Sequence, residues 1–324
     1  MFKRVFGLAL IFSYLLSQNS ADAKTLWGMM HGEQTKKIVA QAFLIDGDTY
    51  INAMANPETV PWDKLNRLYI AFAAVNGNGA LSSGKVNNNR SEWESRLNNI
   101  VAQCRVHNPK VEIFLMSERG DGEPNKNYLK AAADAETFAH TVYRLLQTYD
   151  LDGFDLGWQN KININDYSFE VITLLEALHN KFAKVDVTPR GKKYKLTYSV
   201  WPGSQLPQLV AKTSLLVDQI NIMSYGTAPK YSLDYYSKQY RAAGFPYEKM
   251  IGGVVSEVAF DDFAAGYQDN KESVKTKCSL ALELNMAGMF AWRLDDDYRT
   301  VDGTTEEGAP TYQVAKWLWS AMTD

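Results

Sequence analysis

In the stretch Leu151-Asp152-Gly153-Phe154-Asp155-Leu156-Gly157-Trp158-Gln159, polar and apolar residues alternate. Strand side chains alternate faces, so Asp155, Gly157 and Gln159 point one way and Phe154, Leu156 and Trp158 the other. The apolar set suits a layer beneath helices, and the polar set suits an open mouth. Asp155 can accept hydrogen bonds there. Gln159 can donate and accept, but a carboxamide has no acidic proton to give. General acid chemistry would need a carboxyl elsewhere, and Glu118 and Glu257 stand near other expected strand ends. Each also reads as a solvated loop carboxylate. Asp152 reads as an anchor of the strand end.

The elements that must position these residues alternate between short apolar, β-rich runs and longer runs of helical period, the pattern of repeated βα units. Strands are expected at 25–31, 68–75, 111–117, 153–158, 194–201, 219–225, 250–255 and 288–292, with helices at 91–106, 128–148, 166–182, 233–243, 273–284 and 311–321. Eight strands close a barrel, so the fold class is α/β, a single-domain (β/α)8 TIM barrel over 24–324. Such barrels build their sites at the carboxyl ends of the strands. Those ends carry His31, Glu118, Gln159, Trp201, Met223, Tyr225, Glu257 and Trp292. Between Val255 and Ser273 there is room only for a short loop, so a walled, deep cleft is not expected.

The N-terminus has Lys3 and Arg4, an apolar run over 5–16 and the small-residue triplet Ala21-Asp22-Ala23. This is the pattern of a secretory signal peptide over 1–23, with a mature, extracytoplasmic chain starting near Lys24. No later run is long and apolar enough for a membrane span. A net charge of -3 without a basic block argues against a nucleic-acid partner. The 8 Trp and 18 Tyr suit a ligand with flat apolar faces as well as a packed core. An exported protein could pair Cys104 with Cys278. Their places in outer helices far apart in repeat order read as two buried free thiols. No Cys or His spacing suggests a metal, and no cofactor is expected. His107, His140 and His179 read as surface or packing residues.

The stretch through Gln159 resembles glycoside hydrolase family 18, whose fourth strand carries D-G-x-D-x-D-x-E. Asp152, Gly153 and Asp155 match, Gly157 replaces the third Asp, and Gln159 replaces the catalytic Glu. Met223-Ser224-Tyr225-Gly226 is similar to the family's M-x-Y-D without its Asp. Trp292-Arg293-Leu294-Asp295 looks like W-x-x-D, and Ser117-Glu118-Arg119-Gly120 is a damaged S-x-G-G. In that family the Glu protonates the glycosidic oxygen while the substrate's own acetamido carbonyl attacks. The resemblance therefore implies a chitinase-like barrel without its acid, a pseudoenzyme. It would bind N-acetylglucosamine-containing oligosaccharides through Asp155, Gln159, Met223, Tyr225, Trp292, Trp201 and Glu257. The alternatives are a glycosidase using Glu257 or Glu118 as a relocated acid, and an inhibitor-type barrel that binds a protein partner.

Overall fold

The computed structural model describes residues 36–324 except 88, 121–122, 160–163, 186, 258–267, 303 and 305–307. Residues 38–324 form one unit. Its strands are β1 (Ile38–Leu44), β2 (Arg67–Val75), β3 (Leu81–Ser82), β4 (Glu112–Ser117), β5 (Gly153–Leu156), β6 (Lys195–Val200), β7 (Gln219–Ile222), β8 (Met250–Val255) and β9 (Gly288–Trp292). Apart from the short β3, which pairs antiparallel with β2, every neighbour pair is parallel. β1 pairs with both β9 and β2, which closes an eight-stranded barrel. The fold is thus a (β/α)8 barrel, and β5, β7, β8 and β9 are its fourth, sixth, seventh and eighth strands.

The strand that closes the barrel is Ile38–Leu44, not the expected 25–31, which lies outside the described residues together with His31. Its sequence, IVAQAFL, is nearly continuous in apolar residues and lacks the polar strand end that marked the others. The expected helix over 128–148 is two helices, α3 (Glu123–Ala133) and α4 (Ala135–Thr148). Asp134 breaks the run and caps α4 by accepting from the Thr137 amide at 3.3 Å. The helices α2 (Arg90–His107), α5 (Ser168–Lys184), α7 (Leu233–Ala242), α8 (Lys271–Glu283) and α9 (Gln313–Thr323) match expectation within a few residues, and α1 (Thr49–Met54) and α6 (Pro207–Lys212) are additions. Among the described residues no helix is long and apolar enough to cross a membrane.

Strand alternation divides the apolar residues into two cores. Leu68, Ile70, Ile113, Leu115, Phe154 and Leu156 pack outward against helix residues such as Leu97, Phe138 and Leu174. Ala40, Ala42, Tyr69, Phe114, Met116, Ile251 and Phe290 fill the barrel itself. The small Ala residues of β1 leave room for rings from across the barrel, where Tyr69 meets Phe114 edge-on at 5.3 Å and Phe290 at 6.5 Å. The amino-terminal end is plugged by Arg67, fully buried, which pairs with Glu112 at 2.7 Å, donates to Gln219 at 2.9 Å and lies 4.3 Å over the Phe114 ring. Cys104 on α2 and Cys278 on α8 are buried and unpaired, and burial pushes each thiol up to about 12.

Candidate carbohydrate site

The fourth strand delivers the alternation that its sequence dictates. Phe154, Leu156 and Trp158 join the outer core, and Asp155 enters the barrel. Asp152 holds the strand's start, accepting from Arg105 at 2.7 Å and from the Ile113 amide at 2.8 Å. The Asp155 side chain accepts from Thr197 (2.5 Å) and Asn221 (2.8 Å) at one oxygen and from Ser199 (2.6 Å) at the other. Both oxygens are engaged by β6 and β7, so Asp155 braces the floor of the mouth from below. Burial raises its carboxyl to about 6, against the opposing hydrogen bonds and the charge of Arg67.

Gln159 continues the same interior-facing parity two residues beyond Gly157. Its backbone amide donates to the Arg119 carbonyl at 2.9 Å, which fixes the chain just past the strand. The side chain is 1% exposed, and neither its amide oxygen nor its amide nitrogen meets a hydrogen-bond partner among the described residues. Buried polar groups are as a rule hydrogen-bonded, so such an amide marks a place where a further polar partner fits.

The other strand ends bring aromatic rings to the same carboxyl end of the barrel. Trp201, after β6, meets Tyr225 edge-on at 5.8 Å, and Tyr225, after β7, meets Phe290 at 5.8 Å. Met223 belongs to the same inner cluster. Trp292, the last residue of β9, is 8% exposed and stacks on Phe72 at 5.6 Å and 27°. Phe72 was not singled out from sequence because simple alternation after Ala71 turns it outward. A register shift between Ala71 and Ala73 against β4 brings it to the inner cluster, the re-aiming that a bulge produces.

The rim beside Trp292 is ionic. Glu257 accepts from the Trp292 indole nitrogen at 2.9 Å and pairs with Arg293 at 3.4 Å. Arg293 also pairs with Asp296 at 2.9 Å and with Asp295, which accepts from the Leu44 amide (2.9 Å) and from Thr49 (2.6 Å) and so ties the end of β1 to β9. Burial would weaken the Arg293 charge, but Asp295, Glu257 and Asp296 together hold it above its ordinary value. Glu118 is half-buried, with one oxygen accepting from the Val75 amide at 2.8 Å, and burial raises its carboxyl. The carboxyl end of the barrel therefore carries rings and the Gln159 amide, with Glu118, Glu257, Asp295 and Asp296 held by backbone amides, an indole, a hydroxyl and the Arg293 guanidinium. Among the described residues no group of three metal-ligating side chains forms.

A barrel of this topology with degenerate D-G-x-D-x-D-x-E and M-x-Y-D strand ends defines a chitinase-like protein. The sequence profile of glycosyl hydrolases family 18 matches residues 45–257, and the chain belongs to that family. An endochitinase from Brugia malayi is 24% identical over 256 residues, covering 76% of this chain and 48% of the relative, so the chain spans about half the length of that curated protein. Human YKL-39, described as a pseudo-chitinase with retained chitooligosaccharide binding properties, superposes with a TM-score of 0.67 at 16% identity, over 89% of this chain and 100% of that one. A chitinase-like agglutinin from Robinia pseudoacacia gives 0.65 at 14% identity, over 87% and 99%. A glutamine mutant of a class V chitinase from Nicotiana tobaccum, in complex with NAG4, gives 0.66 at 16%, over 89% and 99%.

Proposed function

We propose that this chain is an exported, non-hydrolysing chitinase-like protein that binds N-acetylglucosamine-containing oligosaccharides at the carboxyl-end mouth of its barrel. The observation that carries the reading is Gln159, which stands where the family has its acid and buries both polar atoms of its amide without a partner. A sugar hydroxyl or acetamido group can satisfy both atoms, and a carboxamide cannot protonate a leaving oxygen. Trp292 and the half-buried Phe72 supply flat apolar surface for the ring faces of a sugar, with Tyr225 packed behind them in the inner cluster. The description of YKL-39 as a pseudo-chitinase with retained chitooligosaccharide binding properties supports binding without turnover as a use of this fold. Export rests on the basic, apolar and small-residue order of residues 1–23.

The relocated-acid reading has one observation in its favour, the raised carboxyl of Glu118. Against it, Glu118 already accepts from a backbone amide, and Glu257 already accepts from an indole and pairs with a guanidinium, so both carboxyls are engaged within the fold. Isothermal titration of the mature chain with chitotriose and chitotetraose tests the proposal. Binding heat is expected, weakened about tenfold or more by Trp292→Ala. Absence of heat with every oligomer removes the glycan reading. Release of reducing ends that Glu118→Gln or Glu257→Gln abolishes establishes a relocated acid instead.

A further inference from the structure

The family's two remaining carboxylate positions are held here by Gly157 and Gly226, and the backbone opposes a side chain at both. A β-carbon on Gly157 would overlap the Ser117 carbonyl oxygen and lie 3.0 Å from its carbon and 3.3 Å from the Glu118 carbonyl oxygen. These are backbone atoms, so no rotamer change relieves the overlap. Gly226 has φ +69, in the left-handed region, where an Asp is tolerated at some cost and most other residues are not.

The seam between β4 and β5 that makes the overlap is fastened. The Gly157 amide donates to the Ser117 hydroxyl oxygen at 2.9 Å, and that oxygen also accepts from the Tyr128 hydroxyl at 2.7 Å. The Tyr128 ring stacks on Trp158 at 4.8 Å and 4°, and the Trp158 indole donates to Asn125 at 2.9 Å. Opening the seam for a side chain at 157 would break this buried set together. We infer that hydrolytic competence is lost in the backbone of the β4–β5 seam as well as at position 159, with Gly157 and the Ser117 carbonyl forming a fixed wall of the binding site. The substrate's acetamido carbonyl can attack only if its developing positive charge is met by a neighbouring carboxylate, and the wall leaves no place for one at 157. An acid placed at 159 alone yields a binder, not a hydrolase. This inference rests on the binding reading above.

The experiment compares wild type, Gln159→Glu and Gly157→Ala, measuring chitotriose binding by titration, release of a fluorogenic aglycone from chitobioside, and melting temperature. Wild type and Gln159→Glu are both expected to show no release above the blank, and Gln159→Glu, which loses the amide donor, is expected to bind chitotriose about tenfold more weakly than wild type. Gly157→Ala is expected to melt about 5 °C or more below wild type. Release by Gln159→Glu of about a hundredfold over wild type, the scale of general acid catalysis, overturns the inference. An unchanged melting temperature for Gly157→Ala overturns the steric wall. Release by wild type itself refutes the binding-only function, an outcome separate from either.

Discussion

Asp155→Asn isolates the linkage between the barrel's polar floor and pH. The carboxyl lies at about 6 in the folded chain against an ordinary value of 3.8 because burial disfavours its charge. The folded chain therefore keeps this proton over a range where the unfolded chain has lost it. Stability from this group is highest in acid and declines as pH rises through about 6. Integrating the linkage between about pH 5 and about pH 7.5 gives a loss of about 1.4 kcal/mol for wild type, about 3 °C in Tm. In Asp155→Asn the amide oxygen can still accept from Thr197 and Asn221, and the Ser199 hydroxyl can turn to accept from the new NH2, so the hydrogen bonds survive with one polarity reversed. The titration does not. Asp295 and Asp297 also lie at about 6 and shift stability the same way, but they remain in both proteins and cancel in the comparison. Urea unfolding of both proteins at the two pH values reads the double difference. A variant whose pH dependence matches wild type within about 0.3 kcal/mol refutes the assignment of that proton to Asp155.

Arg67→Met removes the cation that plugs the amino-terminal end and leaves Glu112 with Lys195 alone, at an expected cost of about 3–5 kcal/mol in urea unfolding. A loss below about 1 kcal/mol would show that Lys195 suffices. The thiols of Cys104 and Cys278, buried and pushed up to about 12, are expected to resist a disulfide-exchange reagent in native buffer and both to react in denaturant. Rapid native titration of either contradicts their placement.

Seven of the eight barrel strands were legible because each pairs an apolar run with a polar end, the combination that a half-open mouth imposes. β1 is buried no more completely than the other barrel strands; it was missed because its apolar run IVAQAFL carries no polar strand end, and the run at 25–31, which ends in His31, filled the eighth place instead. At the site, parity placed Asp155, Gly157 and Gln159 together on the inner face. It did not reveal that Asp155 is fully engaged, although Thr197, Ser199 and Asn221 on the inner faces of β6 and β7 were visible as a signal. Phe72 was illegible for a different reason, since a bulge resets the parity and no nearby glycine advertises it. The pairing of Glu257 with Trp292 and Arg293 joins residues 35 and 36 positions apart and depends on the closed barrel, not on local pattern.

The polar interior thus has two halves with opposite thermodynamics. Around Asp155 donors and acceptors are matched, whereas at Gln159 two buried polar atoms stand unmatched. An unmatched buried polar group costs about 1–3 kcal/mol, a cost offset when a ligand supplies the partners. Gln159→Met keeps the length and approximate volume of the side chain while removing both polar atoms. It should therefore raise the stability of the ligand-free protein by about 1–3 kcal/mol, and it should weaken chitotriose binding by about tenfold or more through the loss of both hydrogen bonds. Melting temperature without ligand and titration with ligand read the two effects separately. A variant that is less stable than wild type means that Gln159 is already satisfied within the fold. A variant that is more stable yet binds equally well means that the sugar does not reach it.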